Sequence, residues 1–353
     1  MKRIAILCPG RGSYTKRSLR SLPADHPWVA RAEELRAEAG LGSLRELDAT
    51  DAWDPARHLR PDSVSPLIYL ISMLDAQEAM AAHQTVAVAG NSMGWYTALA
   101  VAGALSFDDG FRLVQRMSRL QMGPSPAARA RGPEGRGEAE SLPDAGGLGG
   151  QVLFPVVDEQ WRPDASRRAL VDEALATSAG EAMPSIDLGG YAVLAGTERG
   201  VAHLLAALPR VEIGPSVYPF RLAQHGPYHT PLLAGVAERA ARELADLEFR
   251  PPGTPLIDGR GTRFTPWTTD PRELRDYTLG AQVTTPFRFT TSVRVALREH
   301  APDLLALPGP GNTLGGVCGQ ILAAEGWRGI ANRADFERVQ EGDRPVVWSM
   351  RRS

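Results

Sequence analysis

The sequence predicts an α/β fold built on a mostly parallel sheet. Two short apolar runs, at residues 4–8 and 85–89, each end at a glycine-rich turn, which indicates buried strands. Helix-like segments follow these runs, and strands that alternate with helices are typical of parallel α/β sheets. Of the 353 residues, 43% are hydrophobic and 23% charged, which suits one large globular domain, alone or with a smaller one attached.

The first strand leads into the turn Pro9-Gly10-Arg11-Gly12. A dinucleotide-binding fingerprint needs a third glycine at position 15, where this chain has threonine. Two interpretations of the turn stay open. It is either a tight turn without a ligand, or a place where flanking glycines let the Arg11 amide approach a substrate oxygen.

The second strand runs into Gly90-Asn91-Ser92-Met93-Gly94, which fits the pattern G-x-S-x-G. Helices are expected at residues 67–80, 95–102 and 107–121. A strand, this turn and a helix in succession predict a nucleophile elbow that exposes Ser92 above the sheet edge. The amide of Met93 then lies at a helix N-terminus and can donate to an oxyanion. The alternative is an ordinary helix-capping serine.

The middle of the chain changes character. Residues 123–150 are rich in Gly, Pro, Ala, Arg and Glu, which predicts a flexible surface loop. Strand patterns then alternate with helical ones and predict a small inserted α+β subdomain. A long helix returns to the main body. The predicted strands are 151–157, 191–195 and 211–213, and the predicted helices are 166–178, 200–207 and 231–247. The main domain is expected to comprise residues 1–122 and 216–353, and the inserted subdomain residues 151–215.

A serine nucleophile needs a base that accepts a proton near neutral pH, and histidine is the usual one. The chain has seven histidines. Two of them, His225 and His229, share a loop directly before the predicted long helix, and loops carry many catalytic groups. His229 is closer to the helix start and is the predicted base. His225 is expected to be a neighbour of His229 or a surface residue.

Charge and cysteine content exclude several protein classes. The net charge of −2 and pI of about 6.4 give no basic footprint for nucleic acid or an anionic membrane. Cys8 and Cys318 are too few for a disulfide framework and suit a reducing cytosol. No apolar stretch approaches the roughly 18 residues of a membrane span. We therefore expect a cytoplasmic protein without nucleic-acid or membrane partners.

Taken together, the motifs resemble those of the malonyl-CoA:acyl carrier protein transacylases and the acyltransferase domains of polyketide synthases. The resemblance runs from residue 4 to about 325. The matching segments are C-P-G-R-G-S at 8–13 for the family's F-P-G-Q-G-S, G-N-S-M-G-W-Y at 90–96 for G-H-S-x-G-E-Y, Y-H-T-P-L-L at 228–233 for F-H-S-P-L-M, Gln282 with Pro286 for Q-x-x-x-P, and a late G-P-G at 309–311.

The resemblance implies an α/β-hydrolase-like domain with an inserted ferredoxin-like subdomain. It also implies a ping-pong acyl transfer without a bound cofactor or metal. Ser92 would take the acyl group from acyl-CoA while His229 accepts its proton, and the phosphopantetheine thiol of an acyl carrier protein would then receive the group. The oxyanion would rest on the amides of Arg11 and Met93, and a backbone carbonyl near Gln282 would orient His229.

One departure from the family bears on the acyl group. The family's R-L-V-x-x-R places an arginine at position 117, where it pairs with the carboxylate of malonyl groups, and this chain has Met117. A buried carboxylate without that bidentate partner loses several kcal/mol, as an order-of-magnitude figure. We therefore expect a non-carboxylated acyl group, acetyl or longer. Arg116 could replace the missing arginine only after a shift of helix register, because one residue turns it by about 100°.

Other departures surround the nucleophile. Asn91 replaces the family's histidine, Trp95 its glutamate and Arg11 its glutamine. Asn91, Trp95 and Tyr228 are predicted, with Met117 and Arg116, to line the substrate pocket. Asp187, in place of an asparagine, either repels a carboxylated substrate or lies on the surface.

Three alternatives use the same residues differently. An acyl-carrier-protein hydrolase would pass the acyl group from Ser92 to water. A non-catalytic scaffold would only dock carrier proteins, although retention of Ser92, His229 and Gln282 argues against it. A plain esterase would need an acid between the serine and a later histidine, which the inserted subdomain makes a poor fit.

Overall fold

The computed structural model describes residues 1–122, 149–214 and 216–351. The predicted loop at 123–150 therefore lies almost wholly outside the described residues. The first six helices are α1 Pro27–Glu38, α2 Leu44–Asp48, α3 Pro55–His58, α4 Pro61–Ala82, α5 Gly94–Val101 and α6 Phe107–Met122. The later helices are Ala165–Ala176, Glu198–Ala207, Ala234–Glu243, Pro271–Asp276, Gln282–Thr284, Phe289–His300, Thr313–Ala324 and Arg333–Glu341.

The strands are β1 Arg3–Cys8, β2 Gln84–Gly90, β3 Gly150–Pro155, β4 Ala182–Leu188, β5 Tyr191–Gly196, β6 Val211–Ile213, β7 Ser216–Tyr218, β8 Phe220–Arg221, β9 Leu256–Ile257, β10 Arg263–Phe264, β11 Phe287–Arg288, β12 Leu304–Leu307 and β13 Val347–Ser349. In the described part of the chain they form two main sheets and the small hairpin β6–β7.

The larger sheet has the strand order β10-β9-β2-β1-β12-β13. All of its pairs are parallel except β10 with β9. The central strand β1 is buried from Ile4 to Cys8, as its unbroken apolar run predicts. Helix α5 packs on β1 and β2, and α4 packs on α5 and α6. The predicted α/β fold with a mostly parallel sheet is confirmed.

The smaller sheet has the order β11-β4-β5-β3-β8, with antiparallel pairs except β11 with β4. Helices Ala165–Ala176 and Glu198–Ala207 pack against it around a separate apolar cluster that includes Phe154. This is the predicted inserted α+β unit. Its sheet also includes β8 and β11, which lie beyond residue 215, so the limits 151–215 stay a prediction.

Helix α4 begins at Pro61, six residues before the predicted start at residue 67, and Pro66 lies inside it. A proline there cannot donate to the carbonyl one turn earlier, which belongs to Asp62. The Arg36 guanidinium donates to the Asp62 carbonyl oxygen instead, at 2.6 Å. A side chain from α1 thus satisfies the acceptor that Pro66 leaves free, and the helix continues through the proline.

The predicted helix at 231–247 is shorter than expected. A 3₁₀ turn, Pro231–Leu233, precedes the helix Ala234–Glu243. Thr230 separates the turn from His229, whose own backbone is left-handed at φ +59°. Within the described ranges, no helix is long and apolar enough to cross a membrane.

Candidate active site

Strand β2 and helix α5 are joined by the sharp turn that carries Ser92. Its backbone is left-handed at φ +56°, an unfavourable conformation for serine that occurs at nucleophile elbows. A Cβ on Gly90 would lie 2.1 Å from the carbonyl oxygen of Gly94, and one on Gly94 would lie 2.2 Å from that of Cys8. Both glycines of the motif are therefore required by backbone-to-backbone contact.

The structure brings Ser92 and His229 together from positions 137 residues apart. Ser92 Oγ lies 2.7 Å from His229 Nε2, and His229 Nδ1 lies 2.7 Å from the carbonyl oxygen of Gln282. A carbonyl oxygen only accepts, so Nδ1 carries the proton and Nε2 of the neutral ring is free to accept from the serine hydroxyl. This is the tautomer that a general base needs.

Gln282 contacts both His229 and the turn that carries Ser92. Its Oε1 accepts from the Tyr96 hydroxyl at 2.9 Å, and its Nε2 donates to the carbonyl oxygen of Ser92 at 3.1 Å. Gln282 directly follows a π-helical segment, Tyr277–Ala281, an irregularity that is frequent at functional sites. One side chain and one carbonyl thus position both members of the predicted dyad.

The environment keeps His229 neutral. Burial lowers its pKa to about 4, the hydrogen bond to the Gln282 carbonyl opposes that shift, and the positive charge of Arg11 adds to it. The protonated ring, which cannot act as a base, forms only as the pH falls towards that value. Above that pH, His229 Nε2 stays unprotonated and can accept the proton of the Ser92 hydroxyl.

We therefore expect the rate of serine acylation at limiting acyl donor to be constant from about pH 5.5 to 8, with a loss only as pH falls towards 4. The measurement is the pH profile of kcat/KM, followed by release of the thiol leaving group. A fall in rate with a midpoint near the ordinary histidine value would contradict the burial argument.

The predicted oxyanion donors flank Ser92. Met93 precedes the first residue of α5, and Arg11 opens the 3₁₀ turn Arg11–Ser13 after β1. Neither amide donates a hydrogen bond within the described part of the chain. Both residues line the cavity that Ser92 and His229 share, so the arrangement suits a developing negative charge. Their role as an oxyanion hole stays a prediction.

The cavity has a volume of about 20 Å³, little more than one water molecule needs. Seven of the residues predicted from the sequence line it: Arg11, Ser92, Met93, Met117, Tyr228, His229 and Gln282. Met117 is 1% exposed and forms an apolar wall.

Sequence reasoning missed other lining residues, namely Tyr96, Ser118, Gln121, Leu233 and Val283. A signal existed for Gln121, which follows Met117 by four residues and therefore lies on the same face of α6.

Three predicted pocket residues do not line the cavity, and those predictions are wrong. Trp95 is fully buried in the core, where its Nε1 donates to Thr278 Oγ1 at 3.0 Å. Arg116 points outwards and pairs with Asp246 at 2.8 Å, because a one-residue step along α6 turns it away from Met117. Asn91 is buried beside Gly10, outside the cavity.

Two open interpretations are resolved by position. His225 is a half-buried neighbour of His229, and its Nδ1 lies 2.8 Å from Gln151 Oε1. Asp187 is exposed on β4, where its Oδ1 accepts from the Thr290 hydroxyl at 2.8 Å. No group of three or more potential metal ligands occurs among the residues that the structure describes.

Known proteins resemble the chain in sequence and in fold. It is 25% identical over 327 residues to a malonyl CoA-acyl carrier protein transacylase of Salmonella typhimurium, which covers 91% of this chain and 94% of the relative. An acyl-carrier-protein S-malonyltransferase from Burkholderia pseudomallei superposes with a TM-score of 0.68 at 23% identity, covering 90% of this chain and 93% of that one.

A malonyl transacylase solved with a type II polyketide-synthase acyl carrier protein gives a TM-score of 0.68 at 21% identity, covering 91% of this chain and 93% of that one. No protein-family model matches the sequence. The predicted resemblance and fold class are confirmed.

Proposed function

Because the chain resembles the malonyl transacylases over about nine tenths of its length, we propose that it is an acyltransferase. It moves an acyl group from acyl-CoA to the phosphopantetheine thiol of an acyl carrier protein through an acyl-Ser92 intermediate. The observation that carries the proposal is the 2.7 Å contact between Ser92 Oγ and His229 Nε2, with His229 Nδ1 held by the Gln282 carbonyl.

In the first half-reaction, Ser92 Oγ attacks the thioester carbonyl carbon and its proton passes to His229 Nε2. The carbonyl oxygen becomes an oxyanion and accepts from the amides of Arg11 and Met93. The carbon–sulfur bond then breaks, and His229 returns the proton to the departing thiolate. CoA leaves as a thiol, and the acyl group remains as an ester on Ser92.

In the second half-reaction, the carrier's thiol gives its proton to His229 Nε2 and its sulfur attacks the acyl-serine carbonyl carbon. The same amides bind the oxyanion, the ester carbon–oxygen bond breaks, and His229 protonates Ser92 Oγ. Both steps use a neutral base with a fixed tautomer, which the low pKa of His229 and the Gln282 carbonyl provide.

The charge of the acyl group depends on two side chains. Met117 stands where the family has its carboxylate-binding arginine, and it is the reason to expect an uncharged acyl group. The cavity also contains a different arginine, Arg11, beside Ser92. Arg11 is thus a second candidate partner for a carboxylate, and the expectation of an uncharged acyl group, which rests on Met117, stays a prediction.

The proposal is tested by incubating the protein with acetyl-CoA or malonyl-CoA and measuring its intact mass. We expect one acyl adduct on Ser92 and its loss when a phosphopantetheinylated carrier protein is added, with the acyl group recovered on the carrier. Release of free acid without acylated carrier would identify a hydrolase. Absence of any adduct, with carrier binding retained, would identify a scaffold.

A further inference from the structure

We infer that Arg11 binds a carboxylate at the far end of the acyl group, so that this chain recognises a carboxylated substrate from the turn after β1 rather than from α6. The inference rests on the proposed acyl transfer and names its substrate class. It also gives the Arg11 side chain a role separate from the backbone amide predicted for the oxyanion.

The guanidinium of Arg11 packs against an aromatic side chain that lines the cavity. It lies over the Tyr228 ring, with Cζ 4.5 Å from the ring centroid, and the same cavity is lined by Ser92, His229 and Met117. One of its terminal nitrogens, Nη2, is fully buried and has no hydrogen-bond partner in the described part of the chain. Stacking on Tyr228 holds the planar group in place.

A buried guanidinium nitrogen without an acceptor is costly. The guanidinium presents five N–H donors, and a buried donor without an acceptor costs free energy that water or a partner normally offsets. Other arginines that reach buried positions find acceptors, as Arg36 does on the carbonyls of Gly42 and Asp62. No salt bridge joins Arg11 to any carboxylate in the ranges that the structure describes.

The cavity wall offers no anion of its own. Its described residues other than Arg11 are apolar or neutral, including Tyr96, Ser118, Gln121 and Gln282, and none of them is acidic. The negative charge that matches Arg11 therefore has to arrive with the substrate. A carboxylate fits best, because the guanidinium fork binds it in a bidentate manner.

The position of Arg11 also couples recognition to chemistry. Its positive charge lowers the pKa of His229, and Tyr228, on which it stacks, directly precedes His229 in the chain. A bound carboxylate neutralises that charge and makes His229 a stronger base. A carboxylated acyl group therefore binds more tightly and is attacked by a serine with a stronger base beside it. An acetyl group has neither advantage.

The test compares the rates at which malonyl-CoA and acetyl-CoA acylate Ser92, measured by intact mass in rapid-quench experiments. We expect malonyl-CoA to react faster in the natural protein, and the malonyl-to-acetyl ratio to fall by about tenfold or more in Arg11→Gln, which removes the charge and keeps the backbone amide. Arg11→Lys retains a charge and should keep part of the preference. Arg17→Gln, an exposed arginine on the same loop, is the matched control and should leave the ratio unchanged.

The two donors share the same CoA phosphates, so their ratio isolates the acyl carboxylate. An equal loss for both donors in Arg11→Gln would assign Arg11 to a phosphate and overturn the inference, as would an unchanged ratio. Binding of both donors to Ser92→Ala, by calorimetry, decides the matter without catalysis. Suppose that neither donor acylates Ser92, but malonyl-CoA binds more tightly than acetyl-CoA and loses this advantage in Arg11→Gln. The acyl-transfer proposal then fails and the carboxylate site stands. Equal binding of the two donors overturns the carboxylate site.

Discussion

Replacing Ser92 by alanine is expected to abolish the acyl adduct and to lower the rate of acyl transfer by on the order of 10⁴-fold or more, because the hydroxyl that contacts the proposed base is lost. Ser92 Oγ is the atom within 2.7 Å of His229 Nε2, and alanine removes it while leaving the elbow backbone intact. The measurement combines intact mass after incubation with acyl-CoA and transfer of labelled acyl group to the carrier protein.

His229→Ala should cause a loss of similar order, and the double variant Ser92→Ala/His229→Ala should be no slower than Ser92→Ala alone. Nucleophile and base act as one unit, so their losses do not add. The matched control is Ser166→Ala, an exposed serine on the small subdomain, which should transfer at the natural rate. An acyl adduct that still forms at the natural rate in Ser92→Ala would refute the assignment of the nucleophile.

Gly94→Ala is expected to destabilise the fold by about 3 kcal/mol or more and to abolish acylation at the same time. The added Cβ would lie 2.2 Å from the carbonyl oxygen of Cys8 and 2.7 Å from that of Pro9. These are backbone atoms at the end of the central strand, so relief requires β1 and the elbow to separate. Urea unfolding gives the free-energy change, and intact mass gives the loss of Ser92 acylation.

Gly316→Ala is the control for this prediction. Gly316 lies on an exposed face of helix Thr313–Ala324, and a Cβ there meets no atom within 4 Å. Alanine favours the helix more than glycine does, so the free energy of unfolding should stay the same or rise by up to about 1 kcal/mol. Equal stability of Gly94→Ala and the natural protein would show that the elbow is not closed by this backbone contact.

Much of the site follows from short stretches of sequence. A buried strand, two glycines around a serine and a helix start are local features, and the chain between residues 85 and 102 contains all of them. The choice of His229 among seven histidines also rests on local context, a loop followed by a helix. The contact of His229 Nδ1 with the Gln282 carbonyl joins residues 53 positions apart. Only the family resemblance, and no local pattern, predicts it.

The errors arose where side-chain direction matters. Met117 and Arg116 are neighbours in sequence, yet one lines the cavity and the other pairs with Asp246 outside it. Trp95 adjoins the nucleophile motif but packs into the core, because α5 is buried along its whole length against other elements. Helix geometry gives the 100° step between neighbours, but packing decides which neighbour faces inwards.

Local sequence was enough to predict the α/β class, the elbow at Ser92 and His229 as the proposed base, since each prediction depends on residues close together in the chain. The contact of the Arg11 guanidinium with the Tyr228 ring is visible only in the tertiary structure, because the turn after β1 and the loop of Tyr228 are more than 200 residues apart. Contacts between such distant segments depend on how sheets and helices pack, and a pattern read along one segment contains no information about the partner it will meet.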